Sequence, residues 1–365
     1  MDGTSLAPAR AWRSLLQTSA TVFSLGLTLL SLFLLTFDPY SSGLLRAKPI
    51  ALLDENRRFS YPQVVRAHMF DSAVIGTSTI RLLKPDRLDA AFGAHTLNLG
   101  MNAATPWEQS KVADLFLRET PRPKLLIVGV DPHWCSPEAT LPSRRLTPMA
   151  FPESFYDDDP WNDWGYLFNL RTVRMSWRLA MNYLRKKPKQ IISLNGYDVF
   201  TPDEAKYDAA RAHGHIVSEA RFAVSDMNAP QERFDPKEFT FPALPWLEQM
   251  LARTPDSTTK FVLFPPAPSI LLARPESRTG ALLDACKAKV AEIGAAHGAT
   301  VVDFRYPNPV TDDETNFWDS VHYRLPIADR ITDALAAARA TGQSDPGGFY
   351  RVLAAPGRRS EKPEG

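Results

Sequence analysis

Along residues 70–335, short apolar runs alternate with stretches whose apolar positions recur every three or four residues. Residues 72–78, 95–100, 124–130, 260–265 and 300–304 are β-branched or Leu-rich and of strand length. Helical spacing fills most of the gaps, over 80–92, 107–118, 243–251 and 279–297. Strands that are apolar at nearly every position must be covered on both faces. The pattern therefore predicts an α/β domain, residues 64–340, built on a parallel sheet of five strands with helices on either side.

Three regions fall outside this alternation. Residues 14–37 carry no charge and are filled by Leu, Phe, Val and small residues, so as a helix they extend about 36 Å, enough to cross a hydrocarbon core of roughly 30 Å. The run is too long for a cleaved leader, and Thr36-Phe-Asp-Pro-Tyr40 offers no small-residue cleavage site, so it reads as a transmembrane anchor. Arg10 and Arg13 precede it, while Arg46 and Lys48 follow. The orientation read here keeps residues 1–13 cytoplasmic and exports the main domain from the bacterial inner membrane. Residues 38–63 read as a linker. Residues 132–256, between the third and fourth strands, are too many for a loop and predict a large helical insertion, a cap over the sheet's carboxyl edge. It holds the aromatic run from Phe151 to Tyr166, a helical pattern over 169–185 and Asn195-Gly-Tyr-Asp198. Residues 341–365 have little to bury and are expected to be disordered.

Composition adds exclusions more than identities. With 365 residues, 44% hydrophobic and a net charge of +1, the chain has no global charge drawing it to nucleic acid. Cys135 and Cys286 can form one bridge or none. His213-Gly-His215 and His133-Trp-Cys135 lack a second ligand pair at metal spacing, so no metal is expected. Arg171, Arg174, Arg178 and Arg185, followed by Lys186, Lys187 and Lys189, read as a solvated helix face or as a contact for anionic glycan or lipid head groups. Trp161, Trp164, Tyr166 and Tyr197 are either the insertion's own core or a platform for sugar rings.

The chemistry concentrates in two places. Ser72-Ala-Val-Ile-Gly-Thr-Ser78 reads as a buried strand that delivers Ser78 to the sheet's carboxyl edge, where open α/β sheets bind ligands. A serine hydroxyl needs a general base, and Asn316-Phe-Trp-Asp319-Ser-Val-His322 supplies a histidine with a carboxylate three residues before it. Together with Asn98-Leu-Gly100-Met-Asn102 between them, these blocks resemble the SGNH (GDSL-like) hydrolase superfamily. The likeness is greatest to its membrane-anchored bacterial branch, which includes the D-alanine transfer protein of teichoic-acid modification and relatives of the alginate acetylation proteins. The resemblance implies a flavodoxin-like three-layer sandwich, Ser78, His322 and Asp319 as a catalytic triad, and an oxyanion hole from the Ser78 and Gly100 N–H groups and an asparagine side chain. It also implies ester chemistry without a cofactor: O-acyl transfer to or from an envelope polysaccharide, or ester hydrolysis. An integral-membrane acyltransferase is an implied partner, and a catalytically silent glycan-binding or partner protein on the same fold is the alternative.

One position departs from the family pattern. Val128-Gly-Val-Asp131 puts Asp131 where the family carries its asparagine, and a carboxylate repels an oxyanion unless it is protonated or turned away. Asn102 is then the candidate side-chain donor; Asn98 is a weaker one, because its side chain is placed to cap a turn.

Overall fold

The structure, a computed structural model, describes residues 6–40, 52–53, 57–159, 161–185, 191–223 and 234–357. A long helix, α1 (Leu6–Thr36), opens the chain, and its Arg10–Thr36 portion is long and apolar enough to span a membrane. After it come β1 (Leu52–Leu53), α2 (Arg57–Arg66), β2 (Ser72–Ile75), α3 (Pro85–Phe92), β3 (Thr96–Asn98), α4 (Pro106–Glu119) and β4 (Leu125–Gly129). The insertion contributes α5 (Pro142–Arg145), α6 (Leu170–Leu184), β5 (Ile191–Ile192) and α7 (Ala209–Ala223). The chain then returns through α8 (Leu244–Arg253), β6 (Thr259–Phe264), α9 (Arg278–Ala296), β7 (Thr300–Asp303), α10 (Leu325–Thr341) and β8 (Arg351–Ala354).

Six strands, in the order β3-β2-β4-β6-β7-β8, form the main sheet, and all neighbours are parallel except β7 and β8. The period of two sorts their side chains between two cores. Ala73, Ile75, Leu126, Val128, Val262 and Phe264 enter one, with α2, α4, α8 and α9. Val74, Leu125, Ile127, Phe261 and Leu263 enter the other, under α3 and α10. The short pair β1–β5 is antiparallel and separate.

The expected five-strand count is one short, and the tail expected to be disordered is where the missing strand lies. Residues 342–357 fold back along β7, with Phe349 and Tyr350 packed on Phe304 and the Tyr306 hydroxyl donating to the Gly348 carbonyl at 2.6 Å. Those two rings carry enough apolar area to hold the segment despite its glycines. The linker assignment fails at its end: residues 57–63 belong to α2, where Phe59 and Tyr61 are buried. The helix expected over 80–92 starts at Pro85, because the residue before a proline is steered out of the helical region; Lys84 is extended there.

Cys135, just beyond β4, is bonded to Cys286 in α9, 151 residues away. Closing so long a loop restricts the unfolded chain. Cys135→Ser with Cys286→Ser is expected to cost about 2–5 kcal/mol, lowering Tm by several degrees in thermal melts. In the insertion, burial pushes the Asp163 carboxyl up to about 6, against the pull of Arg66 at 3.5 Å. A carboxyl raised on folding contributes stability that is complete below its unfolded pKa near 4 and lost as pH rises through the folded value. Relative to Asp163→Asn, the wild-type protein should therefore lose stability between pH of about 4 and 6, read as Tm differences across that range.

Candidate active site

β2 ends where it must turn. A Cβ on Gly76 would lie 2.8 Å from the Ile80 side chain, and one on Gly129, at the end of β4, would lie 2.6 Å from it. Ile80 thus packs over two glycines, which draws the chain sharply back after Thr77 and starts a 3-10 turn at Ser78. The second block arrives on a small hairpin: Phe317 pairs with Tyr323, and the Trp318 N–H donates to the His322 carbonyl at 2.8 Å.

These elements bring Ser78, His322 and Asp319 into one chain of hydrogen bonds. His322 Nε2 lies 2.8 Å from Ser78 Oγ, and Nδ1 lies 2.8 and 3.0 Å from the two Asp319 oxygens. Nδ1 must carry the proton, since a carboxylate only accepts, so Nε2 is the acceptor for the serine hydroxyl. Asp319 also accepts from the N–H groups of Val321 and His322 at 2.9 and 2.8 Å. Burial raises its pKa, but the bond and charge of His322 and these two N–H donors outweigh it and leave the carboxyl below its usual range. Its contribution to stability is complete above the ordinary carboxylate value and is lost only as pH falls through that depressed one.

Asp131 is buried and engaged by the turn around Ser78. Its oxygens accept from the hydroxyls of Thr77 at 2.6 Å and Thr79 at 3.1 Å, gripping the turn on both sides of Ser78. Burial raises its pKa, partly offset by the Thr77 hydroxyl, the Arg305 charge and the Thr79 hydroxyl.

The expected donors separate. The Gly100 N–H is engaged by the Asn98 side-chain oxygen at 3.1 Å, and the Asn98 amide donates to the carbonyls of Ile80, Arg81 and Leu83 at 3.0–3.3 Å. Asn98 is therefore a turn cap, and Gly100 is kept side-chain-free by Arg81, whose Cγ would be 2.7 Å from a Cβ there. Asn102 differs. Its side-chain oxygen accepts from Arg81 and its backbone carbonyl from Arg58 at 2.8 Å, which fixes the amide with its NH2 turned away from Arg81. Among the described residues, neither that NH2 nor the Ser78 N–H has a hydrogen-bond acceptor.

Arg81, Asp198, Arg57 and Phe200 belong to the site without having been singled out. Arg81 is buried, paired with Asp198 at 2.9 and 3.0 Å, and lies 4.4 Å from the centre of the Phe200 ring; that ring packs edge-on against His322, with centroids 5.1 Å apart. Arg57 also bonds Asp198 and donates to the Gly196 carbonyl at 2.7 Å. The sequence signal was an arginine inside the apolar run Ile80-Arg-Leu-Leu83, since a buried charge needs a partner. Glu204 adds a second clamp, holding Arg324 at 2.6 Å beside the His322 hairpin.

Some of the other candidates are drawn into structural roles. Cys135 is in the disulfide, and His213 pairs with Glu314 at 2.6 Å. Tyr166 packs with Phe59 and Phe155, Tyr197 is half-buried and Trp161 is exposed. Lys186, Lys187 and Lys189 lie outside the described residues, as does the side chain of Trp164.

No protein-family model matches this chain. Nor does any curated protein match it as a relative. The functional reading therefore rests on the site's own geometry.

Proposed function

We propose that the chain is a membrane-anchored, exported serine enzyme of ester chemistry on an SGNH-like fold. The observation that carries the reading is the 2.8 Å approach of His322 Nε2 to Ser78 Oγ across 244 positions of sequence, with Asp319 on the far ring nitrogen. A serine and a surface histidine that had no joint role would have no reason to meet at hydrogen-bond distance with a carboxylate on the far ring nitrogen.

The steps follow from the bonds. Ser78 Oγ attacks an ester carbonyl while its proton passes to His322 Nε2, and Asp319 stabilises the imidazolium. The oxyanion is met by the Ser78 N–H and the Asn102 amide. His322 then gives the proton to the departing alkoxide oxygen, leaving an acyl-serine. An acceptor hydroxyl, or water, surrenders its proton to His322 as it attacks; the ester passes to the acceptor and Ser78 recovers its hydrogen. Transfer between envelope glycans fits the anchor and the cap better than release to water, since a tethered enzyme meets a surface-bound acceptor repeatedly. The disulfide fits an oxidising compartment and so an exported domain.

The test is labelling of the intact protein with a fluorophosphonate and mapping of the adduct by mass spectrometry. An adduct on Ser78 supports the reading, and an unlabelled folded protein favours the silent glycan-binding or acyltransferase-partner alternative. Alkaline phosphatase fused after residue 365 is expected to be active; fluorescence of a cytoplasm-only reporter there would reverse the topology.

A further inference from the structure

We infer that the outward face of α6 lies in the headgroup layer of the membrane that α1 crosses, making this helix a second, interfacial membrane contact; this rests on reading α1 as a membrane span. The helix is amphipathic in an unusual sense. Its inner side, Thr172, Met175, Ser176, Leu179 and Ala180, is buried. Its outer side carries an apolar row, Leu170, Trp177 and Leu184 at 88%, 59% and 79% exposure, in line along one stripe with the exposed Arg174 beside it, while Tyr183 lies round the helix on the Phe37 side. A folded domain rarely leaves such a row of large apolar side chains to water.

The connection to α1 says what covers it. Exposed apolar side chains run along α1 as far as Leu32, but Leu34 is buried in the domain and Leu35 packs on its main core. Phe37, one residue past the helix, joins Met175 and Leu179 of α6 and contacts the Tyr183 ring at 6.0 Å; Tyr40 bonds the Thr172 hydroxyl at 2.8 Å. Residues 14–33 alone make about 30 Å of helix, matching the hydrocarbon thickness. The chain therefore meets α6 within one helical turn of leaving the bilayer, and α6 is held at headgroup depth. There Trp and Tyr are favoured, Leu can dip towards the acyl chains, and arginine can reach phosphate. Arg174 and Arg185, both exposed on this helix, supply that charge. A protein partner would need no such vertical match, whereas a lipid surface requires it.

The experiment uses the full chain in nanodiscs of phosphatidylcholine and phosphatidylglycerol, with the Cys135–Cys286 bond intact. Single cysteines at Leu170→Cys, Leu184→Cys, Val22→Cys in α1 and Arg339→Cys on the opposite side of the sheet carry an environment-sensitive fluorophore. Lipids with a nitroxide near the headgroup serve as quencher. Labels at 170 and 184 are expected to lose most of their emission and that at 339 to keep it. Quenching at 22 with none at 170 and 184 would overturn the inference while leaving the anchor intact; absence of quenching at 22 would remove the anchor itself. Blue-shifted but unquenched emission at 170 and 184 means a protein covers the face, which also overturns it. Arg174→Gln with Arg185→Gln should reduce quenching at 184 in pure phosphatidylcholine, which carries the phosphate, and more strongly in the mixed, net-anionic lipid. Unchanged quenching in both lipids would refute the phosphate contact.

Discussion

Ser78→Ala is expected to lower turnover of an aryl acetate by about 10⁴-fold or more and to abolish fluorophosphonate capture, with the melting temperature nearly unchanged. The side chain makes one bond to His322 at a partly open edge, so its removal leaves no cavity and no buried orphan. His322→Ala should fall to a similar level, and the double variant no lower than either, because nucleophile and base act as a unit. This non-additivity is the more demanding test. Two residues that each merely shaped a pocket would give losses that multiply. Wild-type turnover in Ser78→Ala would sink the mechanism outright.

The sheet was legible because its strands are apolar on both faces, and a run such as Leu125-Leu-Ile-Val128 has little else to become. The convergence of Ser78, His322 and Asp319 was legible because they sit in two compact blocks whose residue types fit one chemistry. What the sequence concealed were arrangements fixed only by packing. β8 was hidden by its glycine-rich approach, since Phe349 and Tyr350 announce a strand only once Phe304 is known to lie opposite. The role of Arg57 was hidden in a segment read as linker, because its partner Asp198 lies 141 positions away. Asp131 was read through its alignment with a family asparagine. Nothing in Val128-Gly-Val-Asp131 says that Thr77 and Thr79, on a neighbouring strand's turn, would claim both carboxylate oxygens.

That last arrangement changes what substitutions around the oxyanion should do. Asn102→Ala is expected to lower kcat by roughly 100-fold or more with KM little altered, the usual consequence of removing a donor used only in the transition state. Arg81 would lose one neutral acceptor but keep Asp198, so the stability cost should stay near 1 kcal/mol and the protein remain folded in thermal melts. Asp131 acts at one remove, through the turn. Asp131→Ala removes the shared acceptor of two buried hydroxyls, leaving them only their 3.1 Å contact with each other, and frees the segment holding Ser78; a displacement of the nucleophile by about 1 Å is enough to cost on the order of 100-fold. Asp131→Asn should be far milder, because its amide oxygen can take one hydroxyl and its NH2 can donate to the other once that hydroxyl rotates. Because both Asp131 variants leave the triad's own members in place, the order of turnover, wild type then Asn then Ala, separates a positioning carboxylate from an electrostatic opponent of the oxyanion. Were Asp131→Asn the fastest of the three, the carboxylate would be opposing the developing charge after all, and its grip on Thr77 and Thr79 would be incidental to catalysis.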